Sequence, residues 1–270
     1  MHKLTIVPFG GLGNRMRVLT SLYQIKQNFP FDLEIGWFKN KELNSGIDEL
    51  FSDIGLNYSL LSGLKAVLFP IFIKISKVNR YPTLYKLVLQ KFYDKVYLDH
   101  DCIQLNSDEI ILAIKASKTI FIATCYPLID VTSYNHLKLN SQIESKVISL
   151  QISESYIGIH IRRGDHIEII KESSLEKYEN VMLNHISRNN HQKFYLASDD
   201  VKVKAYFKNK YKEKILTNEL NLDRANQQGV QDALIDIYML SAAEKIICNP
   251  KSSFAIMASQ IGNKKELFYV

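Results

Sequence analysis

Cysteine is scarce, and its three positions, Cys102, Cys125 and Cys248, are far apart in sequence. They form no C-x-x-C pair and no zinc-like set, and Cys125 and Cys248 sit in apolar strand-like runs, so they read as core thiols in a reducing compartment. Six prolines and eleven glycines in 270 residues leave little room for long flexible linkers. No repeat or low-complexity tract is present. Uninterrupted apolar runs are also missing. The most apolar window, 60–75, is broken by Lys65, Pro70 and Lys74, which argues against a spanning helix. The start, Met-His-Lys followed directly by a strand-like segment, lacks the regions of a signal peptide, so a cytoplasmic location is expected.

What is present is ordinary for a soluble globular protein: 46% hydrophobic and 23% charged residues. The net charge of +6 is concentrated. Lys65, Lys74, Lys77, Arg80, Lys86, Lys91 and Lys95 share their window with one acid, Asp94, which nets +6 and leaves the remainder neutral. Phe69, Phe72, Tyr81, Tyr85, Phe92 and Tyr93 are interleaved with them. Three readings fit: a solvated helical face, a peripheral contact with an anionic membrane, or a grip on nucleic acid.

Alternation of strands and helices predicts an α/β protein with parallel sheets. Strands are expected at 3–9, 31–38, 118–126, 156–161, 193–198, 214–217 and 245–248. Helices are expected at 15–27, 140–150, 173–188, 201–211, 230–243 and 252–261, the 173–188 helix opening on a Ser173/Glu176 capping box. The segment 40–117 reads as mostly helical. Two Rossmann-like domains facing a cleft, 1–150 and 151–270, account for this order.

Near the N-terminus, Gly10-Gly11-Leu12-Gly13-Asn14 joins a strand to a helix. A dinucleotide fingerprint is not completed, because Met16 stands where a third glycine is needed and no acid closes the second strand. That weakens an NAD-dependent reading. The turn still offers backbone N–H groups to an anion or a sugar hydroxyl. Arg15 and Arg17 fall in the first turn of the expected helix, where the dipole disfavours cations, so one of them is expected to contact ligand.

The sharpest stretch is Y-I-G-I-H-I-R-R-G-D-H at 156–166. Two arginines leaving an apolar strand need an anion, and guanidinium matches phosphate in bidentate fashion. Gly164 allows a sharp turn there. A surface Arg–Asp ion pair is the competing reading. Other polar groups fall at strand ends: Ser198, Asp199 and Asp200, then Asn249, Lys251, Ser252 and Ser253. Asp236 lies in an apolar helix and needs a partner, either the edge of a guanine or an ion pair with Arg162 or Arg163. Ser252 and Ser253 open a helix, so they suit a diphosphate or a plain N-cap.

H-I-R-R-G-D at 160–165 resembles the H-x-R-R-x-D signature of the GDP-fucose-dependent fucosyltransferase superfamily, which includes α1,2-, α1,6- and protein O-fucosyltransferases. G-G-L-G-N-R at 10–15, F-Y-L-A-S-D-D at 194–200, A-L-I-D-I-Y-M-L-S at 233–241 and N-P-K-S-S-F at 249–254 are similar to its other landmarks, in the same order. The resemblance implies a GT-B-like inverting transferase of α1,2 type that builds surface polysaccharide. It implies an acceptor-side domain at 1–150 and a GDP-sugar domain at 151–270. By position, Arg162, Arg163 and Asp165 become catalytic, with Arg162 on the β-phosphate. His160 and Asp236 address the guanine, Ser252 and Ser253 the phosphate, and Gly13, Asn14 and Arg17 the sugar and acceptor side. Asp199 and Asp200 read as nucleotide-side or structural groups. With no D-x-D motif, no metal or other cofactor is expected. Asp165, His166 and Glu168 are the nearest candidates for a base. A transferase using a different nucleotide-sugar and a nucleic-acid binder acting through 65–95 remain rivals.

Overall fold

A computed structural model describes residues 2–76, 82–104, 106–150, 154–163, 173–218, 225–263 and 265–270. Gly164, Asp165, His166 and Glu168 lie outside the described residues, as do Lys77, Arg80 and Tyr81. The chain divides into two compact units, Met1–Lys138 and Leu139–Val270. The division falls earlier than residue 150 because the helix Ser141–Leu150 packs on the helix Gln227–Ala242 of the second unit.

In the first unit the strands are β1 (Lys3–Pro8), β2 (Asp32–Ile35), β3 (Phe51–Asp53), β4 (Ser59–Leu60), β5 (Lys95–Tyr97) and β6 (Thr119–Thr124). All but β3 form a five-stranded parallel sheet in the order β4-β2-β1-β6-β5. β1 and β6 are buried almost throughout, as central parallel strands covered on both faces must be. β2 is shorter than expected and stops before Gly36, where a Cβ would sit 2.8 Å from the Val7 side chain. The helix Leu12–Asn28 follows β1, and its buried residues Met16, Leu19, Leu22 and Ile25 keep helical spacing against the sheet. The middle is less helical than expected. It holds β3, β4 and β5 among the helices Ile47–Leu50, Gly63–Ser76, Pro82–Leu89, Asp99–Gln104 and Ser107–Ala116.

After the short β7 (Lys138–Leu139), the second unit contains β8 (Tyr156–Ile161), β9 (Lys193–Ser198), β10 (Ile215–Leu216), β11 (Lys245–Cys248) and β12 (Glu266–Tyr269). Its five-stranded sheet is also parallel, in the order β10-β9-β8-β11-β12. The helices Leu175–Arg188, Val201–Tyr211, Gln227–Ala242 and Ser253–Ile261 link the strands. Ile157, Ile159 and Ile161 of β8 pack with Tyr178, Met182, Phe194, Leu196 and Phe207 in the core. Gly158 admits the helix Gln227–Ala242 close to the sheet, since a Cβ there would lie 2.9 Å from Leu240. The Leu175–Arg188 helix is capped by Ser174, whose side chain accepts from Lys177 N, and not by the expected Ser173. Ser173 is buried and its hydroxyl is engaged elsewhere, donating to the Val270 carbonyl.

Candidate functional site

The strand order of the second unit places the carboxyl ends of β8 and β11 side by side at the point where the connections leave in opposite directions. In open α/β sheets this is where ligands bind. His160, on β8, pairs in register with Cys248 at the end of β11. Its Nδ1 is 2.7 Å from Ser252 Oγ, and its ring stacks on Phe254 with centroids 4.8 Å apart. Ser252 Oγ also accepts from Ala255 N at 3.1 Å and so caps the helix Ser253–Ile261. One hydroxyl therefore fixes both the imidazole and the start of a helix. Asn249 shapes the turn between them: its side-chain oxygen accepts from Lys251 N at 2.8 Å, and its amide nitrogen donates to Ser173 Oγ.

The two arginines diverge. The Arg163 guanidinium turns back and donates to the Ser173 carbonyl at 2.6 Å. Its backbone N–H donates to Asp199 Oδ1, also at 2.6 Å. Arg162 Nε lies 3.9 Å from Asp199 Oδ2, at ion-pair range, with its side chain 17% exposed. Asp199 thus ties the end of β9 to the end of β8 and orients both arginines. The acid met by Arg162 here is Asp199, and Asp165 of the expected Arg–Asp turn lies outside the described residues. Asp200 instead caps the helix Val201–Tyr211, accepting from Lys202 N at 2.7 Å. Ser253 opens the helix Ser253–Ile261 just after its cap.

Asp236 is buried, and its partners differ from the arginines expected. Tyr195 donates to Oδ1 at 2.6 Å, and Lys204 Nζ lies 3.7 Å from Oδ2. Lys204 also donates to the Asn218 carbonyl at 2.8 Å. Burial raises the Asp236 carboxyl to about 6 against the opposing pull of Lys204, and burial likewise pushes the Tyr195 phenol well up. Tyr195 pairs with Gly158, inside the sheet and short of the strand ends. Lys204 escaped the sequence reading. The available signal was its place beside Val203 and one turn before Phe207, on the buried side of its helix.

In the first unit the corresponding position lies beyond β1 and β6, where Phe9 N donates to the Thr124 carbonyl at 3.2 Å. Gly10 has φ +85°, and a Cβ there would meet Asn14 Nδ2 at 2.6 Å, so only glycine fits. Gly11 is the N-cap, which places Gly13 and Asn14 in the first turn, lets Arg15 close it and moves Arg17 beyond it. The expected conflict with the helix dipole is therefore absent for Arg17. Arg15 is a core group. It is 1% exposed, donates to the carbonyls of Gly10 (3.1 Å) and Phe38 (2.8 Å), and lies 4.9 Å from the Trp37 ring centre. Burial lowers its pKa to about 10, with Glu42 opposing. Arg17 donates to Asn14 Oδ1 at 2.5 Å. Its Nε has no hydrogen-bond partner among the described residues, and neither do Thr20 Oγ1, Gln24 Oε1, Tyr134 OH and His136 Nε2. Arg17, Thr20 and Gln24 recur at helical spacing on one side of the Leu12–Asn28 helix. Among the described residues no group of three or more His, Cys, Asp or Glu side chains is placed to hold a metal ion.

No protein-family model and no curated protein matches this chain significantly. Solved structures do match it over nearly its full length. A NodZ α-1,6-fucosyltransferase soaked with GDP-fucose aligns with TM-score 0.60 and 16% identity, covering 97% of this chain and 93% of that one. The fucosyltransferase NodZ from Bradyrhizobium aligns with TM-score 0.61 and 17% identity, over 96% and 92%. Arabidopsis thaliana FUT1 in complex with GDP gives 0.59 and 15% identity, over 97% of this chain and 68% of that one. A mixed α/β fold with parallel sheets is what this chain shares with those fucosyltransferase structures.

Proposed function

We propose that the protein transfers fucose from GDP-fucose to a hydroxyl of a glycan acceptor, with inversion and without a metal ion. The observation that carries this reading is the switch point of the second unit. There Arg162, the His160–Ser252 pair and the N-terminus of a helix meet around the ends of β8 and β11. Permanent positive charge beside the positive end of a helix dipole suits a diphosphate. The whole-length likeness to structures holding GDP or GDP-fucose supports the same choice.

In this reading the bond between the anomeric carbon and the β-phosphate oxygen breaks as the acceptor oxygen attacks from the opposite face. Negative charge builds on the departing GDP, and Arg162 with the N-terminal dipole of the Ser253–Ile261 helix stabilises it. Arg163 holds Arg162 and the strand end in place through Ser173 and Asp199. His160 meets the base, and Asp165 takes its catalytic place by resemblance. The acceptor's proton leaves to a base drawn from the segment after Arg163. On the acceptor side stand Gly13, Asn14 and Arg17. The buried polar atoms along the same helix need hydrogen-bond partners of the kind that sugar hydroxyls supply. The product serves cytoplasmic assembly of a surface polysaccharide, with α1,2 as the expected linkage.

The test is transfer from labelled GDP-fucose to an oligosaccharide library, with GDP-mannose and UDP-sugars as competitors, EDTA present, and the linkage read from the product. GDP-mannose displacing GDP-fucose as the better donor would replace the fucosyl assignment with another GDP-hexose. An α-1,6 product would correct the linkage alone.

A further inference from the structure

The helices Gly63–Ser76 and Pro82–Leu89 of the first unit pack together and bury one side each in a single cluster with the sheet. Phe69, Leu89 and Tyr93 are 3%, 2% and 4% exposed within it. The sides turned away are also apolar. Leu64, Val67, Leu87 and Phe92 are 72%, 64%, 58% and 61% exposed. Isolated exposed apolar residues are common, but three on one helix pair, with Phe92 on the turn that follows it, need an explanation. Lys91 and Lys95 are exposed beside it. The acid of this window, Asp94, is engaged with Thr119, whose backbone N–H it accepts at 2.8 Å.

We propose that this helix pair docks on an anionic lipid surface, with the aliphatic side chains entering the headgroup boundary and the lysines meeting lipid phosphate. No helix among the described residues is long and apolar enough to cross a membrane, so the contact is peripheral. Charge selects the occupant. A second copy meeting this face through its own would set Lys91 and Lys95 against their counterparts. Single-stranded nucleic acid needs aromatic platforms for its bases, whereas three of the four outward residues are aliphatic.

The experiment is co-sedimentation of the full chain with phosphatidylcholine vesicles, with or without phosphatidylglycerol as a third of the lipid. Binding is expected only with the anionic lipid and is expected to weaken with salt. Lys91→Gln and Lys95→Gln should each lower partitioning about fivefold. Leu64→Gln with Leu87→Gln should lower it more than tenfold. GDP affinity, measured on the same variants, should be unchanged and serves as the folding control. Absence of wild-type binding, or equal binding to neutral vesicles, overturns the proposal. So does a concentration-dependent dimer, or a single-stranded DNA complex, that Leu64→Gln with Leu87→Gln abolishes. Vesicle binding without GDP binding would sink the transferase reading and leave this one standing.

Discussion

The two units repeat one scaffold and equip it differently. In each, three strands run outward from the central strand in chain order, β1-β2-β4 in the first and β8-β9-β10 in the second. On the other side the order is β6-β5 in the first unit and β11-β12 in the second, so the last two strands are exchanged. At the strand ends the second unit presents charge: Arg162, Arg163 and Asp199. The first presents a glycine turn, Asn14 and Arg17, while its most buried cation, Arg15, is consumed by backbone carbonyls. The scaffold supplies a place, and the side chains decide what it holds. A charged end suits a diphosphate, and an amide-rich end suits neutral hydroxyls.

The contrast can be broken by mutation, starting with the buried charges that each unit uses for stability. Lys204→Met leaves Asp236 without its cation and should destabilise the second unit by about 3–5 kcal/mol, read by urea denaturation. Unchanged stability would mean that the Lys204–Asp236 pair is not a core element. Arg162→Ala should leave stability nearly unaltered but reduce transfer about 10²–10³-fold, measured as kcat at saturating acceptor. Arg15→Met should cost about 2–4 kcal/mol in the first unit, because the Gly10 and Phe38 carbonyls lose their donors. Hydrogen exchange should show the loss confined to residues before 138.

Acid titration separates the units by sign. Asp236 is raised to about 6, so the proton it holds stabilises the fold below pH 4, and this contribution is lost as pH rises through 6. His136 is buried against Tyr23 and lowered mainly by burial to about 4, so its contribution is present above pH 6.5 and lost as pH falls through 4. Denaturation across this range should become steeper in the His136 direction for Asp236→Asn and lose that component for His136→Phe. The smallest effect compares two caps. Ser174→Ala and Ser252→Ala should each cost about 1 kcal/mol, but only Ser252→Ala should also weaken GDP binding, because its hydroxyl holds His160.

Much of the second unit was legible because its strands β8, β9 and β11 are short apolar runs with polar residues at their carboxyl ends. Four of its helices begin at side-chain caps, Ser174, Asp200, Asn226 and Ser252. β5 and β12 were missed for opposite reasons. β5 is three residues long and lies in a basic segment, and β12 is an edge strand with little burial to pattern it. The roles of Arg15 and Lys204 were hidden because their partners are backbone carbonyls and side chains remote in sequence, which no local pattern marks. Asp236 was correctly singled out as a carboxylate needing a partner, but the identity of that partner depends on how β9 and the Val201–Tyr211 helix pack.

The central claim is that the end of β8 is a diphosphate site governed by Arg162. Isothermal titration of GDP and GDP-fucose into wild type and Arg162→Ala, with EDTA present and UDP and NAD as controls, tests it most directly. The account expects wild type to bind both guanine nucleotides and Arg162→Ala to lose most of that affinity while remaining folded. A folded wild type that binds no guanine nucleotide, or an Arg162→Ala variant that binds GDP as well as wild type, would contradict it.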